Sequence, residues 1–393
     1  MRDVHEIGPT SVTSRLALLP LAASLALGAA GLLVLGAQPL LYGSYVHEGR
    51  ITEAGLGLLA AIEITAIALG SAGGIALLGR MPARLLGLAG IGLTIAANLL
   101  PAAVPLLFAR AVSGTGGGLL VAIAAAAIAR RSGLNAAAAA FLFLQAASQY
   151  AILQWFSAQS GAASAAAIQQ ALAVIAALAA LMLPLLPQSL ALAHPVQGDL
   201  QTTRLPPLSG WIALGASALL VGAVVGIWAY MGLWLELRGV AAERIPPMLT
   251  ASMVGQVGGA LIAIALGERG HSGGRVIAMA AVLLGIVGAL LLRGADGAPG
   301  WALVIGYGVV WMIATPALTG FLLEADPTRR SLPFSASAQL LGAAIVPTLA
   351  GIAFAGQGLD TVIAACAGAL VASLALILLA LATRPRLPAY AAA

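Results

Sequence analysis

Long apolar runs separated by short polar breaks organise this chain. The first run extends from about Leu16 to Tyr45, and others follow at about 54–78, 85–103, 105–129, 134–157 and 163–186. From Pro187 to Ser209 the text reads PQSLALAHPVQGDLQTTRLPPLS, too rich in proline and polar residues for a membrane helix. Six further runs occupy about 210–235, 246–266, 275–292, 300–323, 333–355 and 359–382. A helix crosses a hydrocarbon core with about 20 apolar residues, so the pattern predicts an all-α polytopic membrane protein with twelve transmembrane helices. Two six-helix bundles, 1–187 and 210–393, would be joined by a linker at 188–209. The first run is too long for the core of a signal peptide, and Asp3 and Glu6 precede it beside Arg2 and Arg15, so it is expected to be a retained first helix.

Composition agrees and narrows the function. Hydrophobic residues make up 61% of the 393 positions and charged residues 8%, against about 25% charged in a soluble domain. With the N-terminus inside, the inner segments hold Arg2, Arg15, Arg80, Arg84, Arg130, Arg131, Arg204, Arg269, Arg275, Arg329, Arg330, Arg384 and Arg386. The outer loops hold only Arg50, Arg238, Arg244 and Arg293. Basic loops stay in the cytoplasm, which predicts an inner-membrane protein with a cytoplasmic linker and both termini cytoplasmic. A net charge of +5 without any lysine is too thin to suggest nucleic-acid binding. Cys366 stands alone, and His5, His47, His194 and His271 lie outside the spans without ligand spacing, so no metal or cofactor site is expected. A phosphate loop needs a lysine the chain lacks, and no nucleophile lies beside a base, so the chain is not expected to be an enzyme.

The two halves echo each other. Arg130, Arg131 and Ser132 after the fourth run reappear as Arg329, Arg330 and Ser331 after the tenth, and Arg80 after the second matches Arg269 after the eighth. Small residues fill the spans, with spacings such as Gly70 to Gly74 that let backbones approach, and Pro39, Pro316 and Pro347 should kink their helices. Ionisable groups deep in a span are costly and functional by default. Two qualify: Glu63 in the second run and Arg110 in the fourth, at depths about one turn apart. They could pair as structural ions or act on a solute and a proton. Gln38, Tyr42 and Tyr45 share one face of the first helix, and Tyr307, Trp311 and Thr315 one face of the tenth. Trp228, Tyr230 and Trp234, with Tyr45, are expected in an interfacial aromatic belt. Gln145, Ser148 and Gln149 on helix 5 suit either interhelical hydrogen bonds or solute contacts.

The segment Leu106, Arg110, Ser113, Gly114, Gly116, Gly117 and Gly118 resembles the fourth-helix motif of the major facilitator superfamily. The twelve spans, central loop and paired repeat extend that resemblance over essentially the whole chain. The family's signature between helices 2 and 3 is degenerate here: Gly79, Arg80, Met81, Pro82, Ala83 and Arg84 lack its aspartate, and Glu268 with Arg269 forms the second-half counterpart. A glycine-proline motif typical of the family's drug antiporters is missing from Ala138 to Gln154. The resemblance implies a cavity lined by helices 1, 4, 7 and 10, with Arg80, Arg84, Glu268 and Arg269 as the conformational loops. On this reading Arg110, Gln38, Tyr42, Tyr307, Trp311 and Gln149 bind a small organic solute, an aromatic or other organic acid, while Glu63 with Arg110 couples its movement to protons. Efflux of small organic compounds, or a non-transporting sensor or scaffold in the bilayer, are the alternatives.

Overall fold

The computed structural model describes residues 18–100, 104–130, 134–157, 164–187, 190, 205–266, 271–295, 297–328, 330–331, 334–353 and 356–384. Among the described residues, twelve helices follow one another: α1 (Leu19–His47), α2 (Glu53–Leu78), α3 (Ala83–Leu99), α4 (Leu106–Ala129), α5 (Leu134–Ser157) and α6 (Ala165–Ala179, continued by a 3-10 turn to Leu185), then α7 (Leu208–Leu237), α8 (Ile245–Leu266), α9 (Ser272–Arg293), α10 (Gly297–Ala325), α11 (Ser335–Ala353) and α12 (Leu359–Thr383). Among the described residues, nine are long and apolar enough to cross a membrane, and α3 and α11 are shorter apolar helices. α5 has 24 residues and carries Gln145, Ser148, Gln149 and Gln154 among its apolar ones.

Backbone groups in lipid must find partners inside the protein, and the places where helices bend show how this is met. α1 tightens at Leu32, whose carbonyl accepts from Leu35 N at 3.1 Å and from the Gln149 amide of α5 at 3.0 Å. One turn on, Pro39 has no N–H for the carbonyl of Leu35. The indole nitrogen of Trp228 on α7 supplies that donor at 3.0 Å.

Packing repeats with a period of six helices. The pairs α1–α4, α1–α5, α1–α6, α2–α4, α3–α4 and α3–α6 recur as α7–α10, α7–α11, α7–α12, α8–α10, α9–α10 and α9–α12. Between the halves, α2 meets α11, α5 meets α8, and α1 meets α7. Adding or subtracting six exchanges α2–α11 with α5–α8, as a two-fold relation between the halves requires. α6, α9 and α12 have 33% of their apolar window buried against 67% for α4 and α7, which puts the former at the periphery and the latter in the middle.

The end of the bundle carrying the α1–α2 turn is closed. There His47 meets Glu236 at 2.8 Å, the Thr348 hydroxyl donates to the Gly57 carbonyl at 3.0 Å, and Gly232 lies against Pro39. Each of these contacts joins the first six helices to the last six.

Candidate functional site

The site begins with how closely α2 and α4 approach. Gly114 lies against the backbone carbonyl of Glu63, Gly118 against that of Ile67, and Gly70 against that of Thr115. A Cβ at any of these positions would push the helices apart, so the glycine-rich stretch of α4 is a packing surface. Arg110 stands one turn before Gly114, and the close crossing brings its guanidinium to Glu63 with Nη1 and Oε1 3.4 Å apart, both side chains fully buried.

Other helices complete the cluster. Arg110 Nη2 donates to Asn98 Oδ1 on α3 at 2.8 Å, and Asn98 is held by its own Nδ2 donating to the Thr94 carbonyl at 2.8 Å. From α1, the Tyr42 hydroxyl donates to Glu63 Oε2 at 2.5 Å, and Gln38 Nε2 donates to the Tyr42 oxygen at 3.3 Å. Tyr45 stacks on Tyr42 with ring centroids 6.4 Å apart, and the Arg50 guanidinium lies over the Tyr45 ring, 4.9 Å from its centroid. A buried charge is tolerated only when paired and hydrogen-bonded, and here one carboxylate and one guanidinium neutralise each other with neutral partners around them. Among the described residues, three buried atoms in this cluster lack a partner: Gln38 Oε1, Tyr45 Oη and Arg110 Nε.

The second half contributes aromatic rings. Trp228 of α7 lies 6.3 Å from Trp311 of α10, which in turn meets Tyr307 edge-on at 6.0 Å. The Tyr307 hydroxyl donates to the carbonyl of Val224. On α8, Ser252 and Gln256 are buried, with the hydroxyl and the side-chain amide nitrogen unpartnered among the described residues, and the Ser252 hydroxyl and the Gln256 backbone lie against α10 at Gly308.

Of the residues expected from sequence, Glu63, Arg110, Tyr42 and Gln38 thus come together in one chain of contacts. Tyr307 and Trp311 lie together in the other half. Gln149 stands apart, its amide committed to Leu32 and its stem filling the space beside Gly36. Arg84 ties the start of α3 to the end of α6 through the carbonyls of Pro184 at 2.7 Å and Leu186 at 3.5 Å. Arg80 lies in the α2–α3 turn, its backbone N–H bonded to the Leu77 carbonyl at 2.8 Å, whereas Glu268 and Arg269 lie outside the described residues. The aromatic belt is corrected. Tyr45, Trp228, Tyr230 and Trp234 are at most 1% exposed, and Trp234 Nε1 donates to Asp360 at 2.7 Å. A belt residue must reach the lipid headgroups, and these rings face neighbouring helices instead. Sequence reasoning missed Asn98, although Thr94 and Asn98 at i, i+4 on an apolar helix mark the same polar face. An apolar groove of about 810 Å³ between α1, α5 and α6 is lined by Ser148 but by none of Arg110, Gln38, Tyr42, Tyr307, Trp311 and Gln149.

No family model and no curated protein matches the sequence. Solved structures are similar in fold. A D-xylose-proton symporter superimposes with a TM-score of 0.63 at 17% identity, covering 92% of this chain and 97% of the other. The nucleoside transporter NupG gives a TM-score of 0.69 at 12% identity, covering 93% and 99%. The xylose transporter XylE from E. coli, in a partially occluded inward-open conformation, gives 0.67 at 14% identity, covering 93% and 100%. The chain therefore has the fold of these solved structures over more than nine-tenths of its length.

Proposed function

We propose that this protein is a proton-coupled secondary transporter of a small organic solute, an aromatic or other organic acid, working by alternating access in the inner membrane. The observation that carries this reading is the buried Glu63–Arg110 pair, held at 3.4 Å between α2 and α4 and linked through Tyr42 to α1, with both α1 and α2 contacting the second half. An ionised carboxylate so deep is expensive, so its proton occupancy follows its access to water. When Glu63 binds a proton, its negative charge disappears and Arg110 loses its counter-ion. A solute carboxylate reaching Arg110 would restore the balance, and the two cargoes would cross together.

The moving parts are the halves 1–187 and 210–393, with 188–209 as a cytoplasmic linker. The six-helix period of the packing supports that division. The aromatic rings Trp311 and Trp228 favour a solute with an apolar body. The arginine distribution supports cytoplasmic termini, and on that orientation the closed face is the outer one. The fold's likeness to a structure described as a proton symporter is in keeping with this reading.

The test is uptake by proteoliposomes of a panel of radiolabelled organic acids, with and without an imposed pH gradient. Wild-type protein should concentrate at least one of them when the gradient is present. Glu63→Gln, a permanent mimic of the protonated acid, should lose gradient-driven accumulation and keep solute exchange between equal pools. A glutamine variant that still concentrates solute in response to the gradient would remove Glu63 from the coupling role.

A further inference from the structure

Gln38 sits at the end of the hydrogen-bond chain and its free atom has no partner. In the ionised state the chain runs one way: Gln38 Nε2–H to the Tyr42 oxygen, and Tyr42 O–H to Glu63 Oε2. Gln38 is fully buried, and among the described residues its Oε1 meets no donor, which leaves it free for a group that enters the bundle. A carboxylate accepts only, a carboxylic acid also donates, and a glutamine side chain carries both functions on one planar group. These inventories dictate what protonation does to the chain.

A proton taken from water adds most readily to Glu63 Oε2, because Oε1 faces the positive Arg110. The new O–H then donates to the Tyr42 oxygen. Tyr42 keeps its own proton, but its hydroxyl can no longer point at Glu63 and must turn towards Gln38. There an N–H would meet an O–H head-on, so the amide turns over and presents Oε1 to Tyr42. The amide nitrogen then occupies the position that Oε1 held. No heavy atom needs to move by more than the exchange of two amide atoms.

We propose that Gln38 reads the protonation of Glu63 through Tyr42, switching from acceptor to donor towards the solute, and that the solute group it meets is a carboxylate. This rests on the coupling role of Glu63 argued above. An acceptor-only group is repelled by the Gln38 carbonyl in the ionised state and held by its N–H in the protonated state, when Arg110 also lacks its counter-ion and has its own Nε–H unpartnered. Proton and solute are thereby bound together or not at all. The ionisable groups facing Glu63 are Arg110 from α4 and Tyr42 and Tyr45 from α1. α7 brings Tyr230 to α2 at Gly57, α3 brings the neutral Asn98, and α11 has no ionisable residue between Ser335 and Ala353.

Infrared difference spectroscopy of the full chain in lipid vesicles, stepped from alkaline to acid pH without solute, tests the switch directly. The glutamine side-chain carbonyls are labelled with heavy carbon. A protonated-carboxyl band should appear that is absent from Glu63→Gln, and a labelled glutamine band should shift in the same step. That shift should vanish in Gln38→Leu and in Tyr42→Phe, while the carboxyl band persists in both. A carboxyl band titrating with no glutamine shift, or a shift unchanged in Tyr42→Phe, overturns the switch and leaves the coupling role of Glu63 standing. Absence of any carboxyl band assignable to Glu63 overturns both. For the solute class, benzoate, nicotinate and short aliphatic acids are compared with their amides for accumulation under a pH gradient. Accumulation of carboxylates over amides is expected, and a panel in which no carboxylate accumulates overturns that part.

Discussion

Arg110 shows how much one side chain is asked to hold. Its two terminal nitrogens serve Glu63 on α2 and Asn98 on α3, with distances of 3.4 and 2.8 Å. Only a planar fork reaches two partners in different directions, and a lysine ammonium on a single flexible stem does not reproduce it. Arg110→Lys should therefore insert normally and lower the uptake rate by about tenfold or more, the loss expected when about 1.4 kcal/mol of productive positioning is removed. Near-normal uptake per reconstituted molecule would reduce the arginine to packing. Asn98→Ala leaves a buried guanidinium nitrogen without an acceptor, at a cost of about 1–3 kcal/mol, and should lower the melting temperature in detergent. Outside the spans, Asp326 accepts from the backbone and hydroxyl of Thr328 at 3.0 and 2.5 Å and from Ser331 N at 2.7 Å. Burial opposes its charge, but these hydrogen bonds outweigh burial and hold the carboxyl below the usual carboxylate range. A folded-state carboxyl so lowered stabilises the fold above the ordinary carboxylate range, and that contribution disappears as pH falls through its folded value. Melting temperatures measured against pH should show an acid-side decline in the wild type that is reduced in Asp326→Asn, with the variant less stable at neutral pH. Parallel profiles would dismiss Asp326 as the source.

At the scale of helices, two prolines organise the contact between the halves. Pro39 strips a donor from the Leu35 carbonyl, and Trp228 replaces it from the opposite half; Gly232 then fits against Pro39 itself. On the other side, Gly57 of α2 fits against the Pro347 carbonyl of α11, and Thr348 donates to the Gly57 carbonyl. Both crossings must separate if the closed face is to open. Trp228→Phe keeps a ring but loses the N–H. Loss of one hydrogen bond of about 1 kcal/mol shifts a two-state population by about fivefold. Spin labels at the exposed residues Thr52 and Glu243, one on each half, should report this as a larger fraction of long distances. An unchanged distance distribution would mean that the indole bond does not hold the face shut.

For the whole molecule, orientation is the open quantity with the sharpest test. The turn glycines Gly49 and Gly297 hold φ of +66° and +63°, where a side chain is strained, so probes belong on their neighbours. With Cys366 replaced by alanine, single cysteines at Thr52 or Ala298 should react with a membrane-impermeant thiol reagent in intact cells. A cysteine at Thr328 should be shielded until the membrane is opened. Labelling of Thr328→Cys from outside would invert the bundle, and with it the assignment of the closed face to the exterior.

The number and type of the passes follow from the sequence because both causes act along the chain. Apolar length decides whether a segment can cross, and a helix satisfies its own backbone wherever it lies. Depth along a span is read from the same count, which singles out Glu63 and Arg110 as ionisable groups about one turn apart in depth, while their pairing at 3.4 Å comes from the packed bundle. Sidedness around each helix is different, since it depends on which neighbour lies there. Sequence places Gln149, Tyr307 and Trp228 on polar or aromatic faces, but only the packed bundle decides that they donate to the carbonyls of Leu32, Val224 and Leu35. The same lateral packing brings Asn98 from α3 and Tyr42 from α1 to one ion pair, and turns four expected interfacial aromatics inward. Hydropathy measures transfer from water and is blind to direction; hydrogen bonds and close glycine crossings are directional, and they exist only once the helices have met.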